Sequence, residues 1–299
     1  MGTAAVGKVL VVGATGLIGQ QVFACLRRRG VPVIGTCHRP SDSEFLRLDL
    51  ADAAKTPLPR GIRFAVLCGA VSEVRRCEET PDLTGSVNVD GTLTLARRLT
   101  AGGAFVIFPS TSLVHEGTVP NAPSEAALAR PHTEYARQKL AAEKGLLALS
   151  DRVAVVRLSK VLHWSLPLLS KWWTSLIGGI PIEPFSDLMM APVPAEQVAR
   201  LMLCLGDRRS PGIYQWSAAD QVSYLQLAEE MVARSGADRA LLRPRSAREF
   251  GFAAEDLPVH TTLASTALEA LCGEGRPLAL EVCREVVEQL ATARGLRER

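Results

Sequence analysis

The sequence predicts an α/β fold: a doubly wound parallel sheet with a small C-terminal α/β part. Two observations carry that expectation. Short apolar, β-branched runs alternate with helical stretches up to about residue 160. Beyond it the alternation loosens and Pro and Gly collect. Strands alternating with helices at this spacing imply right-handed crossovers and a parallel sheet.

In order, Lys8 to Val12 reads as a strand buried on both faces. The turn Gly13-Ala14-Thr15-Gly16-Leu17-Ile18-Gly19 follows, then a helix from Gln20 to Arg29 ended by Gly30. Its basic last turn, Arg27-Arg28-Arg29, suits the helix dipole. Val31 to Thr36 and Ile62 to Cys68 are further strands, and Val87 to Leu99 is helical in pattern. Phe105 to Phe108 is a buried strand, Glu134 to Leu149 a long helix, and Val153 to Leu158 another strand. Past residue 160, turns fall at Ile177-Gly178-Gly179-Ile180-Pro181 and Ala191-Pro192-Val193-Pro194. Ala195 to Leu205 is then helical, Gly212 to Trp216 a short strand, and Ser223 to Ser235 and Leu278 to Arg294 helices. The expected division is a nucleotide-binding domain over 1–160, with 193–216 returning to it, and a substrate-binding part over 161–299.

Composition removes several classes of function. The chain has 299 residues, of which 47% are hydrophobic, enough for a core without disulfide or metal staples. A net charge of +3 gives no basic field for nucleic acid or an anionic membrane. Seven cysteines, odd in number and without a C-x-x-C pair, read as reduced core thiols of a cytoplasmic protein. Five scattered histidines form no ligand cluster, so no metal site is expected. Met1-Gly2-Thr3 leads almost directly into a strand, unlike a secretory leader. The apolar stretch Val161 to Ile182 is interrupted by His163, Pro167, Lys171 and Pro181, so no membrane span is expected.

Gly13, Gly16 and Gly19 give G-x-x-G-x-x-G between a buried strand and a helix. Glycines there allow a tight turn and let the backbone approach a pyrophosphate. The N–H groups around Thr15, Leu17 and Ile18 lie at the positive end of the helix. The fold expected is therefore Rossmann-like, with Gly69 and Ala70 after the third strand on the cofactor side. For NAD the second strand should end in a carboxylate that binds the ribose. Here it ends Thr36-Cys37-His38-Arg39, and an Arg suits a 2′-phosphate by charge and bidentate geometry. The cofactor expected is NADPH. Asp49-Leu50 either meets the adenine or forms a surface turn.

Tyr135-Ala136-Arg137-Gln138-Lys139 gives Y-x-x-x-K. Residues four apart share a helix face, so phenol and ammonium can enter one cleft. A nearby Lys⁺ and a nicotinamide positive charge would lower the Tyr pKa toward working pH, and such a phenol can give a proton to a carbonyl oxygen or take one from a hydroxyl. Ser110-Thr111-Ser112 follows a parallel strand at its carboxyl end, where such sheets bind ligands. No G-x-S-x-G elbow is present, which argues against a hydrolase.

These features together resemble the short-chain dehydrogenase/reductase superfamily, extended type, over most of the chain. Val9 to Gly19 resembles its opening; Val74-Arg75-Arg76-Cys77-Glu78 with Pro81, then Val87-Asn88-Val89-Asp90-Gly91-Thr92, resembles its middle segment. The likeness is closest to the dTDP-4-dehydrorhamnose reductases. It rests on Ser110-Thr111 with Val114 and Gly117, on Asp187-Leu188-Met189-Met190-Ala191-Pro192, and on Gly212-Ile213-Tyr214. The resemblance implies Tyr135 as acid/base and Lys139 as the residue that binds the nicotinamide ribose and tunes Tyr135. It implies Thr111 as orienter of the carbonyl, and Asn88 as holding Lys139 through water. It also implies reduction of a keto group, C4 of a nucleotide-linked deoxysugar, and pairing of two copies through the Tyr/Lys helix.

The sequence departs from that pattern near the expected substrate cleft. Ser112 replaces an Asp, His115 an aromatic residue, Leu188 a Gln, Arg75 an acidic residue and Lys160 an aromatic residue. Candidate substrate contacts are Ser112, His115, Lys160, Trp164 and Asp187. Trp164, Trp172 and Trp173 could stack on a base or sugar, or simply pack between helices. The alternatives left open are an NAD-dependent epimerase or dehydratase, a reductase of a non-sugar carbonyl, and a non-catalytic nucleotide-binding regulatory subunit.

Overall fold

The computed structural model describes residues 7–39, 44–118, 122–250 and 258–295; residues 1–6, on which the leader argument rests, lie outside them. The strands are β1 (Lys8–Val12), β2 (Val33–Cys37), β3 (Leu46–Arg47), β4 (Ile62–Leu67), β5 (Phe105–Thr111), β6 (Val153–Leu158), β7 (Val161–Leu162), β8 (Met189–Met190), β9 (Val193–Pro194), β10 (Gly212–Trp216) and β11 (Val222–Ser223). The helices are α1 (Leu17–Arg28), α2 (Val74–Glu79), α3 (Pro81–Gly85), α4 (Thr92–Ala101), α5 (Glu134–Leu149), α6 (Pro167–Ile177), α7 (Ala195–Arg208), α8 (Tyr224–Ser235), α9 (Thr266–Cys272) and α10 (Ala279–Gly295). Seven strands form one sheet in the order β10-β6-β5-β4-β1-β2-β3, every pair parallel. The expected doubly wound α/β sheet is what the chain forms.

Side chains alternate across a strand, so each central strand feeds two cores. Val9, Val11, Phe64, Val66 and Ile107 face α1 and α7. Leu10, Val12, Ala65, Leu67 and Val106 face the opposite side, where Leu95 and Leu146 cover them. That is why these runs read as continuously apolar. β1 lies at the point where the strand order reverses, and the crevice beyond its carboxyl end is where such sheets take ligands. Residues 195–216 build this sheet too: β10 pairs with β6, and α7 lies on α1.

The C-terminal part has its own core, with Leu169, Trp172, Trp173 and Leu176 of α6 against Leu227 and Met231 of α8 and Val282 and Val286 of α10. Ser223 caps α8 with a reciprocal capping box through Gln226. Two short ribbons stand apart from the main sheet, β11-β8 antiparallel and β7-β9 parallel. Among the described residues no helix is long and apolar enough to cross a membrane, and no group of His, Cys, Asp and Glu could hold a metal ion.

Several boundaries differ from expectation. α1 starts at Leu17, not Gln20, because the third glycine lies inside the first helical turn. β5 runs on to Thr111, which draws the hydroxyl cluster into the sheet. The single helix expected at 87–99 is a wide π-type turn over Ser86–Gly91 that runs into α4, and the short helices α2 and α3 precede it. The expectation of seven reduced thiols is corrected: Cys204 and Cys272 form a disulfide with Cα atoms 5.9 Å apart. Their 68-residue separation hid the pairing, which follows from α9 packing on α7.

Candidate functional site

The glycine turn folds as its composition demands. Gly13 has φ of 75°, and a Cβ there would stand 2.8 Å from the Gly69 backbone. A Cβ at Gly19 would stand 2.1 Å from the Gly13 carbonyl oxygen. Both positions therefore require glycine. Ala14 N–H donates to the Thr36 carbonyl at 2.8 Å, tying the turn to β2, and Gly16 caps α1 without a side chain. A cleft of about 790 Å³ opens above the turn and includes Gly13, Thr15, Gly16, Arg39, Gly69 and Ala70. Arg39 is exposed at its edge, with no ion pair among the described residues. Asp49 and Leu50 also line it. The Asp49 carboxylate caps a short turn by accepting from Ala51 N–H at 3.0 Å, and lies 3.4 Å from the His38 ring.

A second cleft of about 650 Å³ takes in Gly16, Leu17 and Ile18 at one end and Thr111, Tyr135 and Lys139 at the other. Thr133 starts α5 by capping Ala136 N–H, and the helix then presents Tyr135 and Lys139 four residues apart. Lys139 is buried; its Nζ donates to the Pro109 carbonyl at 2.6 Å and sits 3.8 Å above the Phe108 ring. Burial pushes its pKa down to about 8, while the Glu143 carboxylate and then Cys68 pull it upward. The Tyr135 phenol is pushed up to about 12 by burial, with Cys77 adding to the rise. Lys139 is not among the groups that shift the phenol, so burial prevails over the lowering expected from this amine. Thr111 ends β5, and its Oγ1 accepts from Leu113 N–H at 3.2 Å.

Ser112 and Lys160 line this cleft, whereas His115, Trp164 and Asp187 do not. The His115 ring lies 2.8 Å from Gln215 Oε1 and faces an adjoining cavity of about 400 Å³; burial, chiefly, holds its pKa below the ordinary range. Trp164 packs on the C-terminal core beside His163. The Asp187 carboxylate accepts from Ser246 Oγ and Ala247 N–H, both at 2.6 Å, and so holds a loop. Asn88 is buried in the π-type turn. It donates to the Val71 carbonyl and to Gln138 Oε1 and accepts from Val71 N–H, all within 2.9 Å. Its partner on α5 is thus Gln138, between Tyr135 and Lys139.

Sequence reasoning missed the layer beneath. Ser110 donates to Glu143, and Glu143 pairs with Arg157 of β6 at 2.9 Å, both side chains almost fully buried. Arg157 also donates to the Glu125 carbonyl at 3.2 Å. The available signal was an arginine inside the otherwise apolar run Val153 to Leu158, with a glutamate four residues after Lys139.

The RmlD substrate binding domain family matches residues 7–291. The chain belongs to that family. The resemblance to extended short-chain dehydrogenase/reductases of the dTDP-4-dehydrorhamnose reductase type is borne out at that level. Methionine adenosyltransferase 2 subunit beta of Xenopus tropicalis is 28% identical over 251 residues, 79% of this chain and 75% of that protein. dTDP-4-dehydrorhamnose reductase of Mycobacterium tuberculosis is 26% identical over 253 residues, 81% of this chain and 80% of that one. The solved dTDP-4-dehydrorhamnose reductase of Bacillus anthracis, in complex with NADP, superposes with a TM-score of 0.81 at 20% identity, over 96% of this chain and 99% of that one. At that identity the likeness is one of fold.

Proposed function

We propose that the chain is an NADPH-dependent reductase of a keto group, C4 of a nucleotide-linked sugar, with Tyr135 as proton donor. The observation that carries this reading is the single cleft that joins the start of α1 to Thr111, Tyr135 and Lys139. The cradle fits a dinucleotide: two glycines admit no Cβ, the helix start is capped by no side chain, and Arg39 stands at the edge of the adjoining cleft. Gly13, Gly16 and the N–H groups of Leu17 and Ile18 would hold the pyrophosphate, and Arg39 a 2′-phosphate. When bound, the reduced nicotinamide supplies a hydride to the keto carbon.

Thr111 orients the carbonyl through its hydroxyl. Tyr135 gives its proton to the oxygen as negative charge develops there, and the carbonyl becomes an alcohol. A phenol pushed up to about 12 is protonated at neutral pH, so the proton to be given is in place. Lys139, held on the Pro109 carbonyl, places positive charge below the site. The test is protein-dependent loss of reduced-nicotinamide absorbance with NADPH and a panel of 4-keto nucleotide sugars. Tyr135→Phe should lower kcat by about 10²- to 10⁴-fold with NADPH affinity unchanged. A fully active Tyr135→Phe variant refutes the assignment.

A second reading is favoured by the relatives named methionine adenosyltransferase 2 subunit beta: a regulatory subunit that binds nucleotide and a partner enzyme. It predicts tight NADPH binding, no turnover on any keto substrate, and co-elution with a methionine adenosyltransferase.

A further inference from the structure

The second cleft carries an unbalanced charge. Its lining contains Lys139 and Lys160 and, among the described residues, no carboxylate. The two amines differ in availability. Lys139 is buried and bound to the Pro109 carbonyl, whereas Lys160 is exposed. The Lys160 amine has no ion pair or hydrogen bond among the described residues. The amine lies 6.0 Å from the centre of the Tyr224 ring, the outer limit of a cation–π contact.

The backbone beneath it is fixed. Ser159 N–H donates to the Trp216 carbonyl at 3.1 Å, and the Lys160 carbonyl accepts from Val193 N–H at 2.9 Å. The register sets its depth. Leu158 pairs with Thr111, so Lys160 stands two residues beyond the strand position opposite the carbonyl-orienting hydroxyl. Ser112, on the Thr111 side of the same cleft, brings no charge that would answer Lys160. A free amine in a partly enclosed cleft gains most from an anionic partner that arrives with the substrate.

We infer that Lys160 binds a carboxylate carried on the sugar ring, so that the substrate is an acidic keto sugar and not one bearing a neutral methyl or hydroxymethyl group. This rests on the nucleotide-sugar reading of the site. The same amine could instead meet a diphosphate, and the experiment separates the two sources.

The probes are UDP-glucuronate, UDP-glucose and UDP, titrated calorimetrically into the NADP⁺-loaded full chain and into Lys160→Met and Lys160→Arg. The two sugars differ only in carboxylate against hydroxymethyl. The native chain should prefer UDP-glucuronate by about tenfold, as one charge-assisted hydrogen bond provides. Lys160→Met should abolish that preference and leave UDP affinity unchanged, and Lys160→Arg should keep it. Equal binding of both sugars by the native chain overturns the inference alone. A parallel loss of UDP affinity in Lys160→Met assigns the amine to the diphosphate and also overturns it. Failure of all three probes to bind overturns the inference, and the nucleotide-sugar reading falls with it only if dTDP-glucose also fails to bind.

Discussion

Glu143→Gln tests the buried layer that supports the site. The Glu143 and Arg157 side chains are 1% and 5% exposed, with Nη2 and Oε2 at 2.9 Å. Arg157 Nε also donates to that carboxylate oxygen, at 3.1 Å, and reaches the other at 3.4 Å. Glutamine keeps the shape and removes the charge. The guanidinium then remains buried with only the Glu125 carbonyl, His115 and a neutral amide beside it. Breaking a buried pair from one side costs about 3–5 kcal/mol, a large part of the 5–15 kcal/mol that holds a typical domain folded. The urea midpoint should fall with the slope m unchanged. Adding Arg157→Met removes the stranded charge and should restore part of the loss, so the two changes are not additive. A single-variant loss below about 1 kcal/mol would mean that water screens the pair as on a surface, and would refute the reasoning.

Three further outcomes follow from the same geometry. Lys139 has its pKa lowered from 10.5 to about 8, so between those values the folded chain holds fewer protons than the unfolded one, and stability rises with pH. The gain is about 3 kcal/mol, and subtracting the pH–stability curve of Lys139→Met isolates it; a flat difference refutes it. Arg39→Ala should weaken NADPH binding about tenfold or more and leave NADH binding unchanged, measured by fluorescence titration. Gly19→Ala should abolish dinucleotide binding in the same titration and lower the melting temperature, because the new Cβ would stand 2.1 Å from the Gly13 carbonyl oxygen.

The regular parts of the fold are legible in the sequence because their determinants are local. The runs of β1, β4 and β6 and the Ala/Leu/Lys/Glu-rich α5 announce period and burial together. β3 is illegible because it is two exposed residues, Leu46 and Arg47, paired only with the end of β2. The helix boundary at Leu17 is missed because a glycine two residues later reads as loop until its close approach to Gly13 is known. In the site, motif residues such as Gly13, Tyr135 and Lys139 are recognisable from spacing, and Thr111 is singled out from its neighbouring serines by the family resemblance. Asp187 and His115 are not, since their partners Ser246 and Gln215 lie 59 and 100 residues away. A residue type names what a side chain can bond, and only the tertiary path decides which partner reaches it.

One stripe of α5 shows how stability and chemistry are joined here. Tyr135, Lys139 and Glu143 follow one another at i, i+4 and i+8 on one face. They descend from a half-buried phenol to a buried amine to a carboxylate 1% exposed. The deepest member is neutralised by Arg157 and still pulls the Lys139 pKa upward against burial. Without that carboxylate, desolvation would act on Lys139 with less opposition, and the amine would lose its proton at a lower pH. Glu143→Gln therefore lowers the pH at which Lys139 stops being a cation as well as weakening the fold. The alkaline limb of any Lys139-dependent binding or turnover should move to lower pH in that variant, and a limb that stays in place would separate Glu143 from the site.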